Sequence, residues 1–196
     1  MGFFFSSAAL GVLGGARHAL EPDHLAAVCT LVAERPTLWD TTRYALSWSA
    51  GHSAVLALAG GAMLALRTQM TEAFSLSAER GVACLLILLG MRSLWRAFGR
   101  QAPTTHVTAT PFGIGVLHGL AGSGAFTAWL AGASASVLGA AGVLCTYAVG
   151  MGLGMCAAAL LARHAFVRLG GALQQRAMAL SGLGSLGVGI WWLCVT

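Results

Sequence analysis

A short stretch near the start of the chain, His18-Ala19-Leu20-Glu21-Pro22-Asp23-His24, sets two imidazoles and the Asp23 carboxylate, with Glu21 between them, into otherwise apolar sequence. Imidazole nitrogen and carboxylate oxygen are borderline donors that suit a divalent first-row metal ion. His52, in Ser49-Ala50-Gly51-His52-Ser53, offers a third imidazole, and its small neighbours leave room for another helix to approach. His118, in Gly115-Val-Leu-His-Gly-Leu-Ala-Gly-Ser-Gly124, has no acidic residue in its half of the chain. The expected ligand set is His18, Asp23, His24 and His52, with His118, Ser123 and Glu21 on the path or gate of the ion.

A regular helix would keep the first set apart. At 100° per residue, His18 and Asp23 lie about 140° apart and His18 and His24 about 240° apart, too far round to share one ion. Pro22 lacks an N–H and clashes with the carbonyl four residues earlier, that of His18, so the spacing predicts a kinked or broken helix. A break turns His18 toward Asp23 and His24 and frees backbone carbonyls to face an ion. The plainer alternative is a kinked helix end at the cytoplasmic surface with Asp23 and His24 solvated. Arg17 would repel a cation unless it pairs, with Glu21 the nearest acid, or points to the interface. His106 and His164 fall in connections, and two scattered histidines do not make a metal-buffering tract. Met151, Met155 and Cys156 are soft donors for Cu(I), but methionine at helical spacing reads as packing. The five cysteines form no CxxC pair and read as small buried hydrophobes.

The elements that must hold these residues follow from composition. Of 196 residues, 57% are hydrophobic and 9% charged, and the mean hydropathy is +0.78; a soluble domain carries about 25% charged residues. A water-soluble globular protein is excluded, and the 27 glycines suit closely packed membrane helices. Apolar stretches of roughly 20 residues cross a bilayer, which predicts spans near 3–33, 43–66, 80–98, 111–132, 136–162 and 178–195. The fold expected is an all-α integral membrane protein with six transmembrane helices, the first broken near Pro22. Polar connections remain at 67–79 and 163–177, the second read as an amphipathic surface helix. His18 matches His118, Gly51 matches Gly150, and Gly90 and Trp95 match Gly187 and Trp192 at nearly constant offset. The single transmembrane domain, 1–196, thus reads as repeat 1 over 1–98, a loop over 99–110 and repeat 2 over 111–196. Three spans per unit turn the second unit upside down, the 3+3 inverted repeat of many secondary transporters.

All 11 basic residues are arginines lying mostly between the apolar stretches, a pattern that orients a membrane protein and does not suggest nucleic-acid binding. Connections after the odd-numbered spans hold Arg35, Arg43, Arg92, Arg96, Arg100, Arg163, Arg168 and Arg176, against Arg67 and Arg80 on the other side. The first set belongs in the cytoplasm and both termini outside. The start, with no basic residue before Arg17, does not read as a cleaved signal peptide.

Arg17-His18-Ala19 followed by Asp23-His24, with Gly51-His52-Ser53 in the next span, resembles the signature of the nickel/cobalt transporter superfamily. The Gly115–Ala125 stretch is more similar to its shorter, urease-accessory (UreH-like) branch of bacterial membrane proteins. That resemblance implies transport of Ni²⁺ or Co²⁺ across the bacterial inner membrane, with His18, Asp23, His24 and His52 recognising the ion. The longer members carry an additional first span and an acidic motif in the second half; all six acidic residues here lie in the first half. Export members often carry a long His-rich loop, and none is present, which favours uptake.

Two other classes compete. Gly122-Ser123-Gly124 and Gly132-Ala133-Ser134 resemble the serine setting of rhomboid-type membrane proteases, but a serine nucleophile needs a base, and the last span contains no histidine. No His-Glu-x-x-His of a zinc protease occurs either. The chain is therefore read as no enzyme and as holding no cofactor, its partners being the divalent ion and the bilayer. A membrane partner that hands metal to urease or hydrogenase maturation proteins would use the same four ligands. GxxxG spacings such as Gly11–Gly15, Gly115–Gly119 and Gly150–Gly154 serve packing within one chain or in a homo-oligomer.

Overall fold

The computed structural model describes residues 2–32, 37–66, 68, 70–99, 110–133 and 137–196, and the side chains of all of these except 2–7, 64, 123–133 and 137. Described residues are helical nearly throughout. The order is α1 (Gly2–His18), α2 (Pro22–Val32), α3 (Leu38–Val55), a π turn (Leu56–Gly60), α4 (Gly61–Leu66), α5 (Glu72–Ala97), α6 (Pro111–Ala133), α7 (Val137–Leu169) and α8 (Gly171–Val195). The expected loop at 99–110 lies outside the described residues except for Gly99 and Thr110, as do His106, Glu34, Arg35, Arg67 and Arg100.

The first apolar stretch is broken where expected, by a different route. Pro22 does not push against the His18 carbonyl from inside a helix; it is the first residue of α2, where its missing N–H has no partner to lose. The His18 carbonyl accepts from the Glu21 N–H at 3.0 Å, the Arg17 carbonyl from the Leu20 N–H at 3.0 Å, and a tight turn over Ala19–Glu21 ends α1. Asp23 then stands in the first turn of α2, where a carboxylate meets the positive end of the helix dipole. α3 starts on a Thr37 cap whose hydroxyl accepts the Asp40 N–H at 3.0 Å and donates to the Asp40 carboxylate at 2.6 Å.

Three described helices are long and apolar enough to cross a membrane: Glu72–Ala97, Leu138–Leu169 and Gly171–Val195, with Pro111–Gly122 a shorter apolar segment. The first two apolar stretches are divided instead, one by the Ala19–Glu21 turn and one by the π turn. Two connections expected from hydropathy are helix. α7 runs to Leu169 and turns sharply into α8 through Gly170 and Gly171, whose φ values of +57° and +48° suit glycine. Residues 163–177 therefore form helix ends and not a separate surface helix, and His164 rides on α7. α5 likewise begins at Glu72 on a Thr71 cap. Hydropathy marks where hydrocarbon ends, whereas a helix continues while its own backbone bonds are met, so boundaries move outward. Cys84, Cys145 and Cys194 are exposed, contrary to the buried reading, while Cys29 and Cys156 are partly covered.

Three helix pairs build the body, and in each of them glycine sets how closely the helices approach. Along α1 and α7, the Cβ absent from Gly150 would collide with the Val12 backbone, and that absent from Gly154 would lie 3.0 Å from the Ala16 carbonyl. Contacts advance together along both chains, so α1 and α7 run parallel. On α6, a Cβ at Gly115 would strike the Trp48 carbonyl and one at Gly119 would lie 2.8 Å from the His52 carbonyl; α3 and α6 also run parallel. α5 and α8 are antiparallel, clipped by Ser185 donating to the Leu86 carbonyl and Ser93 donating to the Met178 carbonyl, each at 2.9 Å. Gly150→Ala is expected to lower stability by about 2–3 kcal/mol through overpacking. Gly152→Ala, where a Cβ meets nothing within 4 Å, is expected to be neutral or to stabilise by up to about 1 kcal/mol through helix propensity. Thermal unfolding of the two variants in detergent checks the contrast.

Candidate metal centre

Three segments deliver the side chains. α1 ends on His18, and the first turn of α2 carries Asp23 and His24. α3 presents Trp48 and His52 one turn apart on one face, and α6 presents Ile114, His118 and Gly122 at the same spacing. His24, His52 and His118 are almost wholly buried, at 1%, 0% and 3% exposure, so their environment is set by the protein and not by solvent.

His18, His24 and His52 come together, each offering a ring nitrogen within 4.8 Å of the others. His18 Nε2 and His52 Nε2 are 3.2 Å apart. Two nitrogens on one ion at about 2.0–2.1 Å stand about 2.9–3.4 Å apart, for angles from a right angle to the tetrahedral one. That pair is spaced for a shared ion, and His24 lies 4.7 Å from His18 and 5.3 Å from His52 between ring centres.

The contacts behind the rings orient them. His18 Nδ1 meets the Glu21 carboxylate at 3.0 Å. A proton held on Nδ1 by that carboxylate leaves Nε2 bare toward His52, the arrangement by which a carboxylate orients a metal-binding imidazole. His118 Nδ1 donates to the Ile114 carbonyl at 3.1 Å, which fixes the same tautomer and leaves its Nε2 bare. Asp23 touches His24 Nδ1 at 3.1 Å, without the alignment of a hydrogen bond. It therefore stands beside His24 and outside the three-nitrogen group.

Both ring nitrogens of His24, Nδ1 of His52, Nε2 of His118 and Nε1 of Trp48 are buried without a hydrogen-bond partner. Each such group costs about 1–3 kcal/mol when left unmet. They belong to residues in and around the His18–His24–His52 group, whose ring nitrogens stand close enough to share a cation, and imidazole-rich donors favour Ni²⁺, Co²⁺ or Zn²⁺ over the oxygen-seeking Mg²⁺ and Ca²⁺.

Of the residues singled out on the pathway, Glu21 contacts His18, and His118 lies 5.1 Å from His24 between ring centres. The Ser123 side chain lies outside the described residues. Arg17 is exposed, and the Glu21 contact goes to His18 and not to Arg17. Two contributors escaped the sequence reading. Trp48, wholly buried, stacks on His24 at 5.9 Å and 19° and lies 5.1 Å from His118; its place four residues before His52 was the available signal. Gly122, one turn after His118, leaves space beside His18, whose Cε1 would stand 3.8 Å from a Cβ there.

Over 132 residues the chain is 30% identical to the urease accessory protein UreH of Bacillus sp. (strain TB-90), covering 59% of this chain and 58% of that protein. The chain is similar to UreH. It spans a little over half the length of that relative, and the resemblance to the urease-accessory branch read from the motifs is borne out. No family model matches the chain, and no solved structure matches it.

If Glu21 orients His18, Glu21→Ala weakens Ni²⁺ binding about 10–100-fold, the usual cost of losing such a carboxylate. Glu21→Gln, which keeps an acceptor oxygen for Nδ1–H, retains most of the affinity. Calorimetric titration of the purified protein with Ni²⁺ reads both.

Proposed function

We propose that this chain is an inner-membrane permease that takes up Ni²⁺ or Co²⁺ by alternating access, with His18, Asp23, His24 and His52 as the cargo site. The observation that carries this reading is the gathering of ring nitrogens of His18, His24 and His52 within 4.8 Å of one another at a break in an apolar helix. Broken helices that place their ends and polar groups at mid-depth are how secondary transporters bind ions. His52 stands 14 residues from either end of the Leu38–Leu66 run, about 21 Å from each mouth at 1.5 Å per residue. Asp23 and Glu21 bring two negative charges to a divalent ion, so the loaded site is neutral. Similarity to a protein named for urease accessory work supports nickel as cargo.

The six-span, 3+3 inverted architecture has support in how the helices pair. Counting the divided stretches as single spans, span 1 packs parallel to span 5, span 2 parallel to span 4, and span 3 antiparallel to span 6. Exchanging the halves turns the first pairing into the second and returns the third to itself. Alternate crossing of a membrane requires those same directions. Both termini then lie outside, with the arginine-rich ends in the cytoplasm.

A second reading, a membrane partner that passes metal to urease maturation proteins, is favoured by the relative's name alone. It binds metal by the same residues and moves none. Radiolabelled Ni²⁺ and Co²⁺ flux into sealed proteoliposomes separates the two. The permease gives flux in the wild type that falls at least about tenfold in His18→Ala and in Asp23→Asn, as expected for loss of a ligand or its immediate support. A wild type that binds Ni²⁺ in detergent but passes none supports handover. Export differs only in the direction of flux in oriented vesicles.

The pH dependence has a fixed sign. Imidazole must shed its proton to hold a metal ion, so protonation competes with cargo. Uptake is expected to fall as pH is lowered far enough to protonate the ligand imidazoles, and not to rise with acidity. Initial rates over a series of decreasing pH values check this, and uptake that increases with acidity in protein that stays folded rejects imidazole ligation.

A further inference from the structure

His118 is a buried imidazole on the opposite half of the chain that the three-histidine group does not include. Its Nδ1 is held by the Ile114 carbonyl, and its Nε2 is buried without a partner. His24 is its ring neighbour at 5.1 Å, nearly the 5.0 Å that separates His18 from His52, whose nitrogens stand 3.2 Å apart. His24 Nε2 is likewise without a hydrogen-bond partner, while its Nδ1 stands 3.1 Å from the Asp23 carboxylate. His24 thus adjoins the His18–His52 pair and also His118, and it is bound to neither by a hydrogen bond that would fix its ring.

Trp48 stacks on His24 and lies against His118, so solvent is kept from this second pair. Asp23 interacts electrostatically with both imidazoles. Two nitrogens and a carboxylate are a minimal donor set for a divalent first-row ion.

We propose a second ion station formed by His24 and His118 with Asp23, which receives the cation from the His18–His52 pair through His24. The inference rests on the cargo-site reading above. Because His24 serves both stations, they hold one ion between them and not two. His24 rotates its bare nitrogen from one pair to the other as the ion passes from the first half of the chain to the second. His118 then contributes to passage and little to the first binding step.

The test uses the full-length protein, with Ni²⁺ as probe. Equilibrium dialysis in detergent gives affinity and stoichiometry, and proteoliposome flux gives kcat and KM, for wild type, His118→Ala and His118→Gln. Expected is one Ni²⁺ per chain throughout, a Kd in both variants within about fivefold of wild type, and a kcat for flux at least about tenfold lower at similar KM. His118→Gln keeps an N–H near the Ile114 carbonyl at similar volume, so it stands in if the alanine variant does not fold. Flux that falls less than this overturns the proposal. So does a Kd weakened beyond about fivefold, which would make His118 part of one composite site, and so do two ions per chain. Absence of wild-type flux is a different failure, that of the permease reading itself.

Discussion

A helix that stops at His18 and restarts at Pro22 is the constraint on which the site depends. Carried on unbroken, it would face His18 and His24 about 240° apart around its axis. The turn over Ala19–Glu21 removes that restriction and does three further things. It brings the Glu21 carboxylate back to His18 Nδ1. It opens the N-terminus of α2 beside Asp23. It also lets α2 leave α1 and pack against α5, α7 and α8. Ala19, wholly buried at the turn, lies against Gly154, so the break is held by the α1–α7 interface.

Packing and chemistry share residues on the other side of the site as well. His118 stands between Gly115 and Gly119, the two glycines that let α6 approach α3. A Cβ at Gly115 would lie 2.9 Å from the His52 N, and one at Gly119 would lie 2.8 Å from its carbonyl. The backbone that carries His52 is therefore fixed by the ridge that carries His118. One helical turn beyond His52 comes the π turn at Leu56–Gly60, a feature that often accompanies functional sites in helices. In hydrocarbon, where helix association has little hydrophobic drive, such close backbone contact is a main source of stability.

The chemistry was legible because charge is rare here: with 9% charged residues, a His-x4-Asp-His run stands out, and proline within it implies a break. The second histidine-bearing span was legible for the same reason. Other features were hidden by their physics. The true ends of α5, α7 and α8 lie in polar sequence that remains helical, which hydropathy does not register. Asp23 was named among the ligands from its spacing and from the family motif, and the side of the site on which it stands, against the ring of His24, is set by helix geometry after the turn. Trp48 looked like any core aromatic, since its role depends on which helix α3 faces. Of the two readings for Arg17, pairing with Glu21 or pointing away, its exposure fits the second, and the tight turn gives the Glu21 carboxylate to His18.

Under the transport reading, the uneven distribution of acids shapes how an ion is released. A path must bind well enough to admit the ion and weakly enough to let it go. At the His18–His52 pair a cation lies beside the ring that Glu21 orients, with Asp23 next to His24. At His24 and His118 it keeps the influence of Asp23 and leaves Glu21 behind. Glu21 stands across the His18 imidazole from the ion and is about half exposed, so its pull is screened, but leaving it behind still loosens the ion. No acidic residue follows in the second half to recapture it. On that reading the acid-free second half is the side of the path that holds the ion less tightly, and the acids of the first half are the side that holds it more tightly.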